Sequence, residues 1–191
     1  PPLLELTRVM EGLQLSLVRK PASELIKLLE DGDIELCVSA LEDMVWDRIN
    51  RWPLFSGELV GLVARNSEME SGKSLTLSQM SDLHIISHTG CEHGGAFQEI
   101  LEKQEVQVGG FHETSDQSDI NAIVGSGVGI GIAPKSTRLP DDVSALPIEG
   151  LDLPRIVSLS AVSGRQYSTA ASNFIRLLRA ADWSDWETQP S

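Results

Sequence analysis

The sequence predicts an α/β fold with parallel strands joined by helices, and two helix–turn–strand passages carry that prediction. In residues 22–30 (ASELIKLLE), Leu25, Ile26, Leu28 and Leu29 share one helical face; Asp31-Gly32-Asp33 then breaks the pattern before the apolar strand 34–38. In residues 118–135 (SDINAIVGSGVGIGIAPK), Ile120, Ile123 and Val124 recur at helical spacing, and Gly125 and Gly127 end the helix. The strand 128–133 that follows alternates glycine with β-branched residues until Pro134, as a buried strand does where other backbone approaches closely. Repeated units of this kind imply an α/β architecture.

Composition narrows the class. A chain of 191 residues buries a substantial core as one domain or two small ones. It contains no uninterrupted apolar run near the roughly 18 residues that a membrane helix needs, so it reads as soluble. Lys and Arg number 15 against 28 Asp and Glu, a formal charge of -13 that repels polyanions, so this stretch is not expected to bind nucleic acid itself. Cys37 lies in an apolar run and Cys91 in a polar loop; two such cysteines make no disulfide framework and fit a reducing cytoplasm. Nothing resembles a signal peptide, and the abrupt Pro1-Pro2 start reads as that of a trimmed fragment.

In chain order, residues 3–10 place Leu3, Leu6, Val9 and Met10 on one helical face that Gly12 ends, and 13–18 alternate like a half-buried strand. Pro21-Ala22-Ser23 opens the second helix. Residues 42–53 are polar and irregular, with Trp46 and Trp52 interspersed, and 59–64 form an apolar strand. After a polar loop at 66–72 and a short segment at 75–80, a buried strand at 84–87 leads into the turn-rich loop 88–95 and a helix at 96–103. Strands are expected at 106–112, 143–148 and 155–162; a final helix at 169–181 starts at a Ser168 or Thr169 cap, and the tail from Asp182 reads as loosely held.

Several motifs invite chemistry. Glycines at 125, 127, 129 and 131 suggest a dinucleotide fingerprint, but they follow a helix and sit in a strand, and Ile130 occupies the third fingerprint position. Close strand packing accounts for them better. His84, His88, His93, His112 and Cys91 cluster in one third of the chain, yet their spacing matches no compact zinc pattern, so no metal and no cofactor is expected. Cys91 beside an imidazole and a helix start could be an activated thiol, but no acid partner or oxyanion motif accompanies it, and no catalysis is expected. Thr89-Gly90-Cys91 and Thr114-Ser115 each precede a helix. Such helix amino ends attract carboxylates, and ordinary capping by Thr and Ser is the competing reading.

With these elements in order, residues 3–181 resemble the effector-binding domain of LysR-type bacterial transcriptional regulators. Three passages carry the likeness: LQLSLVRKPASELIKLLEDGDIELCVS, LHIISHTGCEHGGAFQEIL and SDINAIVGSGVGIGIAPKSTRLP. The last two are the more telling together, since a loop and helix followed by a helix–glycine–strand–proline unit is the family's usual order.

The resemblance implies a type II periplasmic-binding-protein-like fold, two Rossmann-like lobes joined by two crossing strands near 59–64 and 143–148. Lobe I would comprise residues 1–61 plus 148–191 and lobe II residues 62–147. It further implies a small effector, often a carboxylate, in the inter-lobe cleft. By position, effector contacts map onto Ser39, Ala40, Phe55, His88, Thr89, Gly90, Cys91, Thr114 and Ser115. The family's winged helix-turn-helix domain is absent from this chain, so DNA binding belongs to that portion, and the first strand of lobe I is also expected to be missing. A homodimer or homotetramer is implied, pairing helices 3–11 and 116–124 across subunits, with a cytoplasmic location and no membrane partner. Two alternatives share the fold or the residues: a periplasmic solute-binding protein, and a redox sensor acting through Cys91, for which Cys37 is expected in the other lobe and so resolves nothing.

Overall fold

The computed structural model describes residues 8, 10, 12–40, 47–89, 91, 93–153, 155–184 and 186. Along the chain these form α1 (Ala22–Asp31), β1 (Cys37–Ser39), β2 (Ile49–Gly57), β3 (Leu59–Ala64), β4 (Leu75–Thr76), β5 (His84–His88), α2 (Gly94–Lys103) and β6 (Gly110–Thr114). Then follow α3 (Gln117–Gly125), β7 (Gly129–Pro134), β8 (Val143–Glu149), β9 (Arg155–Val162) and α4 (Thr169–Ala180), with single 3-10 turns at Met69–Ser71 and Leu77–Met80. The chain divides into two compact units, Pro1–Ser56 with Ile156–Ser191, and Gly57–Arg155.

The first unit is built on a three-stranded sheet in the order β1-β9-β2. Helix α1 sets Leu29 against Cys37 and Val162, and α4 sets Ile175 and Leu178 against Leu159. Ser168 starts α4 as expected, its hydroxyl accepting from the amide of Ala171 at 3.1 Å. Gly32 ends α1 in the left-handed region at φ 86, where a side chain would be strained.

Four expectations for this unit are corrected. Residues 13–18 form no strand, and Leu15, Leu17 and Val18 remain 45, 71 and 46% exposed. Alternation supplies an apolar face, but a strand also needs a ladder partner, and none of the described residues pairs with this segment. The early strand is three residues long rather than 34–38, and it runs antiparallel to β9. Of the stretch 42–53 read as irregular, residues 42–46 lie outside the described residues and 49–53 belong to the nine-residue strand β2; as the outer strand of its sheet it accommodates an exposed proline, which lacks an amide to donate. Finally, the tail is anchored at Trp183, whose indole donates to the carbonyl of Leu178 at 2.9 Å and stacks on Phe55 with centroids 5.4 Å apart, and at Trp186, whose amide donates to the Trp183 carbonyl at 2.8 Å. The helix expected at 3–10 lies outside the described residues except for Arg8 and Met10, while Gly12 has the positive φ of 75 expected of a helix stop.

The second unit carries a six-stranded sheet in the order β4-β8-β3-β7-β5-β6. Strand β5 runs parallel to both β6 and β7, as the helix–strand units predict, and β3 is antiparallel to β7 and β8. Helices cover both faces. Phe97 and Leu101 of α2 pack with Ile85 and Ile132, whereas Ile120 and Val124 of α3 pack with Ile86 and Leu62. The adjacent residues Ile85 and Ile86 thus serve opposite faces, which is why the strand reads as a continuous apolar run.

The glycines of β7 pack as the sequence suggests. A Cβ on Gly129 would stand 2.4 Å from the carbonyl oxygen of His84, and one on Gly131 would stand 3.0 Å from both Leu62 and Val124. Strand β6 begins four residues later than expected. The segment before it is held to the chain preceding β5 by two isolated backbone bonds instead of a ladder, the Asp82 amide donating to the Gln107 carbonyl at 2.9 Å and the Gly109 amide to that of Leu83 at 2.8 Å.

Candidate functional site

Two of the loops singled out in the sequence lie side by side at the carboxyl ends of the parallel strands β5 and β6, the position where α/β sheets bind ligands. The register pairs His88 with Thr114, and the amide of Thr89 donates to the Thr114 carbonyl at 2.8 Å, fastening one loop to the other. Within the first loop the Cys91 amide donates to the His88 carbonyl at 2.9 Å, and the Gly94 amide to the Cys91 carbonyl at 3.1 Å, so a tight turn delivers the chain into α2. The Nδ1 of His88 lies 2.9 Å from the Thr89 carbonyl. Since a carbonyl only accepts, this contact requires a proton on Nδ1.

The two helix starts differ electrostatically. At α3 the cap is Asp116, one residue beyond Thr114-Ser115. Its carboxylate accepts from the amide of Ser118 at 2.8 Å and from the Ser118 hydroxyl at 2.7 Å. Thr114 is drawn into the same arrangement, its hydroxyl donating to Asp119 at 3.2 Å and accepting from the Asp116 amide at 3.3 Å. With Asp116 as cap and Asp119 in the first turn, the positive end of α3 is already met by carboxylates. At α2 the N-cap His93 makes no side-chain cap bond and the first turn holds no acid, so among the described residues no carboxylate meets its positive end as Asp116 and Asp119 do at α3.

The Ser118 hydroxyl, with the Ser118 amide next, holds the Asp116 carboxyl below the ordinary aspartate range. A carboxyl whose folded value lies below its unfolded value stabilises the fold above the unfolded pKa and ceases to do so as pH falls through the folded one. Asp116→Ala should therefore melt at a lower temperature than wild type at neutral pH, and the difference should close as the pH drops below the usual aspartate range. Thermal melts of both proteins across that interval check this.

The remaining expected contacts belong to the first unit. Ser39, at the end of β1, is half-buried and hydrogen-bonds through its side chain to the Cys37 thiol. Ala40 is 4% exposed. Phe55 is engaged by two rings, those of Trp183 and Trp186, at 5.4 and 5.9 Å. Gly90 lies outside the described residues. Burial pushes the Cys37 thiol up in pKa, outweighing the bond from Ser39, whereas Cys91 is partly exposed. Iodoacetamide at neutral pH should accordingly label Cys91 well before Cys37, as peptide mass mapping of a time course would show; equal rates would contradict the buried placement of Cys37.

A recess that sequence reading missed opens between α2 and the sheet, lined among others by Ser87, Cys91, His93, Phe97, Phe111 and Glu113. The Nε2 of His93 is buried with no hydrogen-bond partner among the described residues. The signal was present in part, since Ser87 and Glu113 stand opposite each other in the β5–β6 register, but that pairing becomes legible only once the two strands are known to be neighbours. The histidines do not gather around Cys91 as one cluster; His84 and His112 pair with each other, and no group of three or more His, Cys, Asp or Glu among the described residues could hold a metal ion.

Two units, one of them a mixed sheet covered on both faces with paired loops at the ends of its parallel strands, define a type II periplasmic-binding-protein-like fold. Solved structures agree. The regulatory domain of CcmR from Synechocystis PCC6803, in complex with 2-PG, matches with a TM-score of 0.81 at 18% identity, covering 94% of this chain and 88% of that one. The effector-binding domain of QuiR, in complex with shikimate, matches with a TM-score of 0.77 at 20% identity, covering 93% and 86%. Full-length BenM E226K matches with a TM-score of 0.78 at 16% identity, and there the chain covers 64% of the longer protein. The LysR substrate binding domain model matches residues 1–183, and the chain belongs to that family, the effector-binding domain of LysR-type transcriptional regulators. No curated protein sequence is significantly similar to it. No described helix is long and apolar enough to cross a membrane.

Proposed function

We propose that the chain is the effector-sensing and dimerising part of a cytoplasmic LysR-type regulator, that it binds a small anionic metabolite, and that it catalyses no reaction. The observation that carries this reading is the fastening of loop 88–91 to loop 114–115 at the strand ends, beside an α2 amino end without a side-chain cap. The amides of Thr89 and Cys91 already donate to loop carbonyls, so the donors that suit a carboxylate or phosphate are the first turn of α2 and the Thr89 and Ser115 hydroxyls. The complexes of CcmR with 2-PG and QuiR with shikimate, both small molecules, support the ligand class.

In this reading the two units are the family's regulatory subdomains, joined at 56–57 and 155–156 rather than within the strands 59–64 and 143–148, with the effector in the cleft that the family places between such subdomains. Ser39, Ala40 and Phe55 would approach it from one side, and His88, Thr89, Gly90, Cys91, Thr114 and Ser115 from the other. Binding shifts an equilibrium between two arrangements and therefore requires different affinities for them. DNA contact falls to an upstream winged helix-turn-helix domain, in keeping with the net charge of -13 on this part. Pairing of subunits through helices 3–11 and 116–124 belongs to the same proposal. Gel filtration should give a dimer at high concentration; monomer alone would remove the dimerising role.

A thermal-shift screen of small carboxylates, phosphorylated acids and amino-acid derivatives tests the binding role. A ligand at 100 times its dissociation constant should add about 2.7 kcal/mol of stability. A panel without any stabilising anion would overturn the anionic-effector reading.

A further inference from the structure

We propose that His84 and His112 form a two-imidazole chelate for a tetragonal or octahedral divalent transition ion, Cu²⁺ or Ni²⁺, on the outer edge of the six-stranded sheet. This site is separate from the loops at 88–91 and 114–115 and does not depend on the effector reading. His84 begins β5 and His112 stands in β6, the terminal strand of the sheet, and in that register Ile86 is opposite His112, so the two imidazoles lie diagonally on one face. The Nδ1 of His84 and the Nε2 of His112 are 2.8 Å apart, with ring centroids at 4.9 Å and planes inclined by 39°.

That separation has a chemical meaning. Two nitrogens bound to one ion at roughly 2.0–2.1 Å and a right angle stand roughly 2.8–3.0 Å apart, whereas a tetrahedral angle needs about 3.3–3.4 Å. The pair therefore suits cis positions of a square-planar or octahedral ion better than those of Zn²⁺, and imidazole ligation follows the order that places Cu²⁺ highest. Binding requires the ion to replace the proton that the two nitrogens share, with both rings turned so that their lone pairs meet at one point.

Gly110 provides the room. A Cβ there would have as its nearest neighbours His84 Nδ1 at 3.4 Å and His112 Nε2 at 3.6 Å, so the missing methyl leaves a hollow bordered by the two donor atoms. Two protein ligands leave the other positions to water, consistent with the absence of any larger ligand group among the described residues. The net charge of -13 raises the local concentration of cations.

The test is titration of the tag-free protein with Cu²⁺ and, separately, Ni²⁺, read by isothermal calorimetry and by the ligand-field absorption of the bound ion. One ion per chain is expected. His84→Gln and His112→Gln should each weaken binding by at least about tenfold, since either change removes the effective concentration of the second donor. Gly110→Ala keeps both imidazoles, fills the hollow, and should weaken binding similarly. It covers the case in which a histidine variant fails to fold. Absence of a one-to-one site in the wild type, or binding unchanged in a folded histidine variant and in Gly110→Ala, would overturn the proposal.

Discussion

Gly129→Ala should cost about 3 kcal/mol or more, because the new methyl group meets backbone rather than a movable side chain. Its Cβ would lie 2.4 Å from the carbonyl oxygen of His84 and 2.6 Å from Ile86 Cδ1. The isoleucine can rotate, but the carbonyl belongs to β5, which pairs with β7 at this residue. Relief therefore requires the two strands to part, and with them the ladder that carries the loop at the end of β5. Gly95→Ala provides the comparison. Nothing lies within 4 Å of its Cβ position and the residue is helical, so the same substitution should be neutral or stabilise by roughly 0.4–1 kcal/mol. Urea unfolding of both variants checks the contrast; equal midpoints would mean that β5 and β7 are not packed at this spacing.

Ile120→Ala should lose about 2–5 kcal/mol, the range for removing a buried aliphatic side chain and leaving a cavity. Ile120 is fully buried on the inner face of α3, packed in one cluster with Val60, Leu62, Ile86 and Val124. Helix α3 has no basic residue in its last turn to complement its dipole, so its attachment to the sheet rests mainly on that apolar face. Val128→Ala, at a position 59% exposed, should change stability by less than about 0.5 kcal/mol. A loss of that small size at Ile120 as well would show that α3 is not anchored as described.

Legibility from sequence followed local pattern. Strands 59–64 and 155–162 emerge with their expected bounds, and the helices within one residue or two at either end, because their apolar periods and caps are written in consecutive residues. What failed depended on neighbours distant in the chain. Residues 13–18 alternate correctly yet have no described partner strand, and β2 hides behind Pro53 because its position at a sheet edge is a property of the fold, not of the segment. The site divides along the same line. Loops 88–91 and 114–115 were recognisable from their turn residues, but their contact through Thr89 and Thr114 depends on the β5–β6 pairing. Which helix start carries a side-chain cap is likewise decided by one residue, Asp116, that reads in sequence as an ordinary polar residue.

The central claim is that a small anion binds where loop 88–91 meets loop 114–115. Calorimetric titration of the strongest anionic hit into wild type, Thr89→Val and Ser115→Ala tests it most directly. Wild type should bind one ligand per chain, and each folded variant should bind at least about fivefold more weakly, the loss of one net hydrogen bond of about 1 kcal/mol. Identical affinities for all three folded proteins would contradict the account and place the ligand elsewhere.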